Sequence, residues 1–111
     1  MGYSRAVVAG DWCFVSGTTG YDPVLGGWAD DPLEQARQCF HIIRTALDEA
    51  GFRMEDVVRV QYTVTDAALA DVITPALEEA FGEIRPAATM VIAGLIRPEM
   101  RVEVEVTAFR G

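Results

Sequence analysis

Residues 31–52 read DPLEQARQCFHIIRTALDEAGF. Asp31 is placed to N-cap a helix, Pro32 suits its first position, and Glu34 completes an Asp-x-x-Glu capping box. Leu33, Ala36, Phe40, Ile43, Leu47 and Ala50 then recur at steps of three and four, which draws one apolar stripe along one face. Gln35, Arg37, Gln38, His41, Arg44 and Asp48 are assigned to the wet side. Gly51 ends the helix as a C′ glycine, and Phe52 is set to fold back on Leu47.

On the C-terminal side of this helix, residues 57–65 alternate. Val58, Val60, Tyr62 and Val64 share one face, with Val57, Arg59, Gln61 and Thr63 on the other. Asp66 is expected to cap a second helix that runs to Phe81 and stops at Gly82. Pro75 lies inside it, so a break or kink is expected near Thr74. Residues 87–93 and 101–109 read as the last strands. In the latter Val102, Val104, Val106 and Ala108 face opposite to Arg101, Glu103, Glu105 and Thr107. On the N-terminal side, residues 3–8 and 12–16 are short apolar runs joined by a turn at Ala9-Gly10-Asp11. A long loop then carries Asp22-Pro23, Gly26-Gly27 and Asp30-Asp31-Pro32, and loops of that length tend to be functional or mobile. The order is strand, strand, helix, strand, helix, strand, strand: one α+β domain over residues 1–111. Two helices can cover only one face of such a sheet, against the two valine rows. The other face must meet water or another subunit. The apolar fraction, 50% of 111 residues, favours a subunit, and closed cyclic symmetry is the usual arrangement.

Composition excludes several classes. The chain carries 17 Asp plus Glu against 9 cations, a net charge of −8, and all nine cations are arginine. Without lysine there is no Schiff-base or P-loop lysine chemistry. An acidic chain without a basic stripe argues against a nucleic-acid partner. No apolar run approaches the roughly 18–20 residues of a membrane span, and the first five residues lack the apolar core of a secretory signal. Cys13 and Cys39 form neither a zinc framework nor a CxxC pair, so two reduced, buried thiols in a cytoplasmic protein are expected. No metal-ligand spacing occurs. The single histidine, His41, faces away from the core and leaves hydrolase triads without a base.

Three features can carry chemistry, each with an ordinary alternative. Ser16-Gly17-Thr18 at a strand end is either a plain turn or a nest of N–H groups for an anion. Glu103, flanked by valines, is either a solvated strand residue or, once covered by a subunit, a proton-handling carboxylate with a raised pKa. Arg5, on the strand face of Tyr3, is either a surface ion-pair partner or a carboxylate clamp.

Residues 3–7 (YSRAV), 14–17 (FVSG), Gln35, Ala50-Gly51, 56–58 (DVV), 62–66 (YTVTD), 81–82 (FG), 85–91 (RPAATMV) and 102–105 (VEVE) together resemble the RidA family. It is also called YjgF/YER057c/UK and was once labelled endoribonuclease L-PSP. The resemblance runs from Tyr3 to Phe109. It implies a chorismate mutase-like fold, a mixed sheet with two helices on one face, and a homotrimer with a central β-barrel and clefts between subunits. It further implies cofactor-free, deaminase-type hydrolysis of small enamines and imines such as 2-aminoacrylate. Tyr3, Ser16, Gly17 and Glu103 match the family's cleft residues, with Glu103 positioning the attacking water. Met90 takes the position whose backbone N–H contacts the ligand. The family's carboxylate-clamping arginine is replaced by Ala88; Arg5 and Arg85 are the candidate replacement cations, although neither stands at that position. The expectation is therefore a trimer acting on a small reactive metabolite, yet a poor 2-imino acid deaminase. The alternatives are a non-catalytic metabolite- or partner-binding trimer and, against the charge balance, an endoribonuclease.

Overall fold

The helix read first from the sequence forms over Pro32–Glu49 (α1), as seen in a computed structural model that describes residues 2–111. Asp31 caps it by accepting from the Leu33 N–H at 2.9 Å. Glu34 does not close a capping box; its carboxylate pairs with Arg37 at 2.8 Å instead. The other end is a Schellman closure: the Phe52 N–H donates to Leu47 O at 2.8 Å and the Gly51 N–H to Asp48 O at 3.1 Å. Gly51 has φ +82°, a conformation that disfavours any residue with a Cβ. Gly51→Ala is expected to lower stability by about 1 kcal/mol, measurable as a denaturant midpoint shift at constant slope.

Five strands form the main sheet: β1 (Ala6–Ala9), β2 (Trp12–Thr19), β5 (Val57–Val64), β6 (Ala87–Ile92) and β7 (Val102–Phe109). Their order is β1-β2-β7-β5-β6, antiparallel throughout except for β6, which runs parallel to β5. The first strand is shorter than residues 3–8, although the Ser16 N–H still reaches Arg5 O at 3.0 Å. The long loop contains a small hairpin of β3 (Tyr21–Asp22) and β4 (Gly27–Trp28) that periodicity did not reveal.

The second helix, α2, spans Leu69–Phe81 and continues through Pro75 without a break. Pro75 and Asp71 are both exposed, so water can satisfy the carbonyl that loses its partner. Asp66 caps only the turn ahead of α2, where its carboxylate accepts from the Ala68 N–H at 2.8 Å.

Both helices pack on one face of the sheet. Phe40 and Ile43 of α1, Ile73 and Phe81 of α2, and Val60, Val64, Val102 and Val104 of the sheet are buried there. Phe40 meets Phe81 and Tyr62 edge-on, with centroids 5.5 and 6.4 Å apart. The expected β5 faces need one change. The pairing of β5 with β7 shifts between Val57 and Arg59, so Val57 is buried and Val58 exposed. A bulge lets two neighbours turn outward and resets the alternation. The face away from the helices carries Trp12, Phe14 and Phe109, with Trp12 4.6 Å from Phe109. All three are at least a third exposed.

Gln35 is also placed differently from the sequence reading. It is 1% exposed, not on the wet side. Its amide nitrogen donates to Ala29 O (2.7 Å) and Glu99 O (2.9 Å), and its oxygen accepts from the Arg101 N–H (2.9 Å). One side chain thus joins the start of α1 to the segments entering α1 and β7. No helix of the described residues is long and apolar enough to cross a membrane.

Candidate functional site

Where β2 leaves its register with β7, between Val15 and Thr18, Ser16 and Gly17 are displaced from the ladder. Register resumes with Thr18 opposite Val104 and Thr19 opposite Glu103. The Glu103 carboxyl lies directly over Gly17: a Cβ built on Gly17 would sit 2.8 Å from Glu103 Cδ and 2.9 Å from Oε1. Only a residue without a side chain leaves this seat open. Partial burial is the first cause raising the Glu103 pKa above the ordinary carboxyl value, and the charge of Glu105 adds to it. Thr63 of β5 flanks Glu103 on the other side in register.

A chain of short polar contacts holds the bulge. Ser16 Oγ donates to Ser4 O, and Thr18 Oγ donates to Ser16 O at 2.8 Å. Arg5 Nη1 donates to the same Thr18 Oγ at 3.0 Å. Cys39 of α1 donates its thiol to Thr18 O at 3.2 Å. Burial, reinforced by the Glu103 charge, pushes that thiol up to about 12, so it stays protonated and is no nucleophile. Thr18 was not foreseen as the hub of this arrangement. Its signal was present in the Ser-Gly-Thr run, but its partner lies 13 residues earlier.

The remaining predicted residues fall in three places. Tyr3 is 63% exposed beside the start of β1. Arg5 makes no ion pair with Glu103 among the described residues; it borders a groove of about 320 Å³ with Tyr21, Gln38 and His41 on the α1 side. Ala88 and Met90 lie on β6, an edge strand, with β5 and β7 between them and β2. At about 4.8 Å per strand, β6 is roughly 14 Å from β2 and roughly 10 Å from β7, which carries Glu103. One protomer therefore brings together Ser16, Gly17 and Glu103 but not Ala88 or Met90. Among the described residues no group of three or more His, Cys, Asp or Glu side chains is arranged to hold a metal ion.

Chemically, the assembled part offers a partly desolvated carboxylate beside the displaced backbone of Gly17. That pairing can hold a water and move a proton.

Comparison with known proteins shows the family to which this fold belongs. The family model described as Endoribonuclease L-PSP matches residues 1–110. An uncharacterized protein of Streptomyces coelicolor is 35% identical over 112 residues, covering 100% of this chain and 84% of the relative. The crystal structure of a YjgF/YER057c/UK114 family member from Mycobacterium tuberculosis superposes with a TM-score of 0.88 at 38% identity, covering 98% of this chain and 87% of that one. RidA from an Antarctic Psychrobacter superposes with a TM-score of 0.91 at 27% identity over 99% and 89% of the two chains. The chain thus belongs to the Endoribonuclease L-PSP family, the group also known as YjgF or RidA.

Proposed function

We propose that this chain acts as a homotrimer that hydrolyses a small imine, enamine or related electrophile in a cleft between subunits. The observation that carries this reading is the Glu103 carboxyl seated on Gly17 at the bulge of β2. In the proposed reaction, water adds to the C=N carbon while Glu103 takes its proton. The proton then passes to nitrogen, giving the carbinolamine; its hydroxyl proton follows to nitrogen through Glu103 as the C–N bond breaks, leaving a carbonyl compound and ammonia, and an enamine enters the same path after tautomerising to its imine. The amide of Gly17 steadies the developing charge, since the Ser16 N–H is committed to Arg5 O. Tyr3 lines the wall, while Arg5, through Thr18, fixes the bulge.

The strand order supports the assembly. Ala88 and Met90 lie on the edge strand β6, two strands from Glu103 on β7, and in this reading another copy brings its own pair to the cleft. The exposed Trp12, Phe14 and Phe109 face and the unpaired edge of β6 supply surfaces that a trimer would cover.

Ala88 sets the substrate range. A desolvated Arg–carboxylate contact is worth about 2–5 kcal/mol, and its absence weakens transition-state binding of a 2-imino acid by roughly 10²-fold or more. The preferred substrate is then neutral or larger, without reliance on an α-carboxylate. Ammonia release from 2-aminoacrylate generated in situ tests this. Wild type should be slow, and Ala88→Arg should gain at least about 10-fold. An unchanged rate in that variant would reject the proposed cleft. With a net charge of −8 and no lysine, ribonuclease action lacks a phosphate track.

A further inference from the structure

A cavity of about 260 Å³ lies where the β3–β4 hairpin, the approach to α1 and the segment entering β7 meet. That volume suits a small metabolite. Trp28 and Pro98 give it apolar walls, and Asp30, Glu99 and Arg101 bring three charges to it.

Its frame is fixed from within. Gln35 also lines the cavity, and its amide ties together Ala29 O, Glu99 O and the Arg101 N–H, the backbone points from which the walls rise. Both hydrogens of the Gln35 amide nitrogen are used in this way, so Gln35 holds the cavity open and leaves ligand binding to its neighbours. Trp28 is pinned as well. Its indole N–H donates to Thr19 Oγ at 3.1 Å, and the Tyr21 ring packs against it at 75° with centroids 5.4 Å apart. Walls set before a ligand arrives reduce the ordering cost of binding.

The charges, by contrast, are uncommitted. Asp30 comes from the approach to α1, Glu99 and Arg101 from the approach to β7, and no ion pair among the described residues includes any of them. Asp31, the neighbour of Asp30, is the residue that caps α1. A lone anion entering here would meet two carboxylates, and a lone cation would meet a guanidinium. The complement of this set carries a cation, an anion and an apolar part together.

We infer that this cavity binds a free α-amino acid with an aliphatic side chain, its ammonium between Asp30 and Glu99, its carboxylate on Arg101 and its side chain against Trp28. The site goes beyond the Glu103 reading and shares no residue with it. Binding here and hydrolysis there therefore succeed or fail separately.

The test is titration of the intact, isotope-labelled protein with L-leucine, 3-methylbutylamine and 4-methylpentanoate, followed by amide and indole NMR shifts. The last two are leucine without its carboxylate and leucine without its ammonium. Saturable shifts are expected at the Trp28 indole N–H and at the Ala29 and Arg101 amides, with leucine binding at least tenfold tighter than either fragment. Arg101→Gln should weaken leucine at least fivefold while leaving 3-methylbutylamine within twofold. Asp30→Asn should weaken leucine at least threefold and leave 4-methylpentanoate no weaker than in wild type. Arg97→Gln removes the same charge from the same segment but outside the cavity, and should leave leucine within twofold. Absence of saturable shifts at roughly 10 mM leucine, shifts centred on Gly17 and Glu103 instead, or an unchanged leucine affinity in Arg101→Gln would overturn the inference.

Discussion

Gly20→Ala is expected to lower stability by about 3 kcal/mol or more, a fall in Tm of roughly 10 °C or more for a domain of this size. The position follows β2 and lies against the first turn of α1. A Cβ there would overlap the Gln35 carbonyl oxygen and sit 2.9 Å from Gln35 Cα. These are backbone atoms of a helix, so no side chain can swing aside. The helix start must move. Moving it strains the three hydrogen bonds of the Gln35 side chain to Ala29, Glu99 and Arg101. Each buried group left without a partner costs about 1–3 kcal/mol. Thermal and denaturant unfolding of Gly20→Ala beside Gly27→Ala checks the argument, because a Cβ on Gly27 meets nothing within 4 Å. Gly27→Ala should differ little from wild type. Equal effects from the two substitutions would show that no close approach is at work.

The same residue marks how far the sequence could be read. Helix α1, its Asp31 cap and its Gly51 closure were legible because each depends on neighbours within five residues. The alternation of β7 was legible because the extra residue opposite it lies in β2, while its own register with β5 is unbroken from Val102 to Val106. Gln35 was misplaced because period alone treats any polar residue off the apolar stripe as wet. Its burial is set by the carbonyl of Glu99, 64 residues away. Val57 and Val58 were exchanged for a related reason, since a bulge adds a residue that period-2 counting cannot see. The candidate site divides in the same way. Glu103 and Gly17 were singled out separately from their strand contexts, but the fact that one seats the other comes only from pairing β2 with β7.

Glu103→Gln is expected to divide activity from stability. Replacing a positioned acid–base group removes about 10²–10⁴-fold of rate. The loss is best read as ammonia release from 2-aminoacrylate, comparing Ala88→Arg with Ala88→Arg/Glu103→Gln. Stability should move the other way. Burial and the neighbouring Glu105 raise the Glu103 pKa in the folded protein above its unfolded value, so the native state binds its proton more tightly. The stabilisation linked to that proton is complete below the unfolded pKa and is lost as pH rises through the folded one. Glutamine carries no such charge. The Tm of Glu103→Gln relative to wild type should therefore increase across that window and level off above it. Melting curves from pH 4 to 8 measure it. If Glu103→Gln is instead less stable at neutral pH, the carboxylate is held there by favourable partners. A charge so well satisfied would have little reason to take a proton from water, and its proposed role would fall with the sign of that one difference.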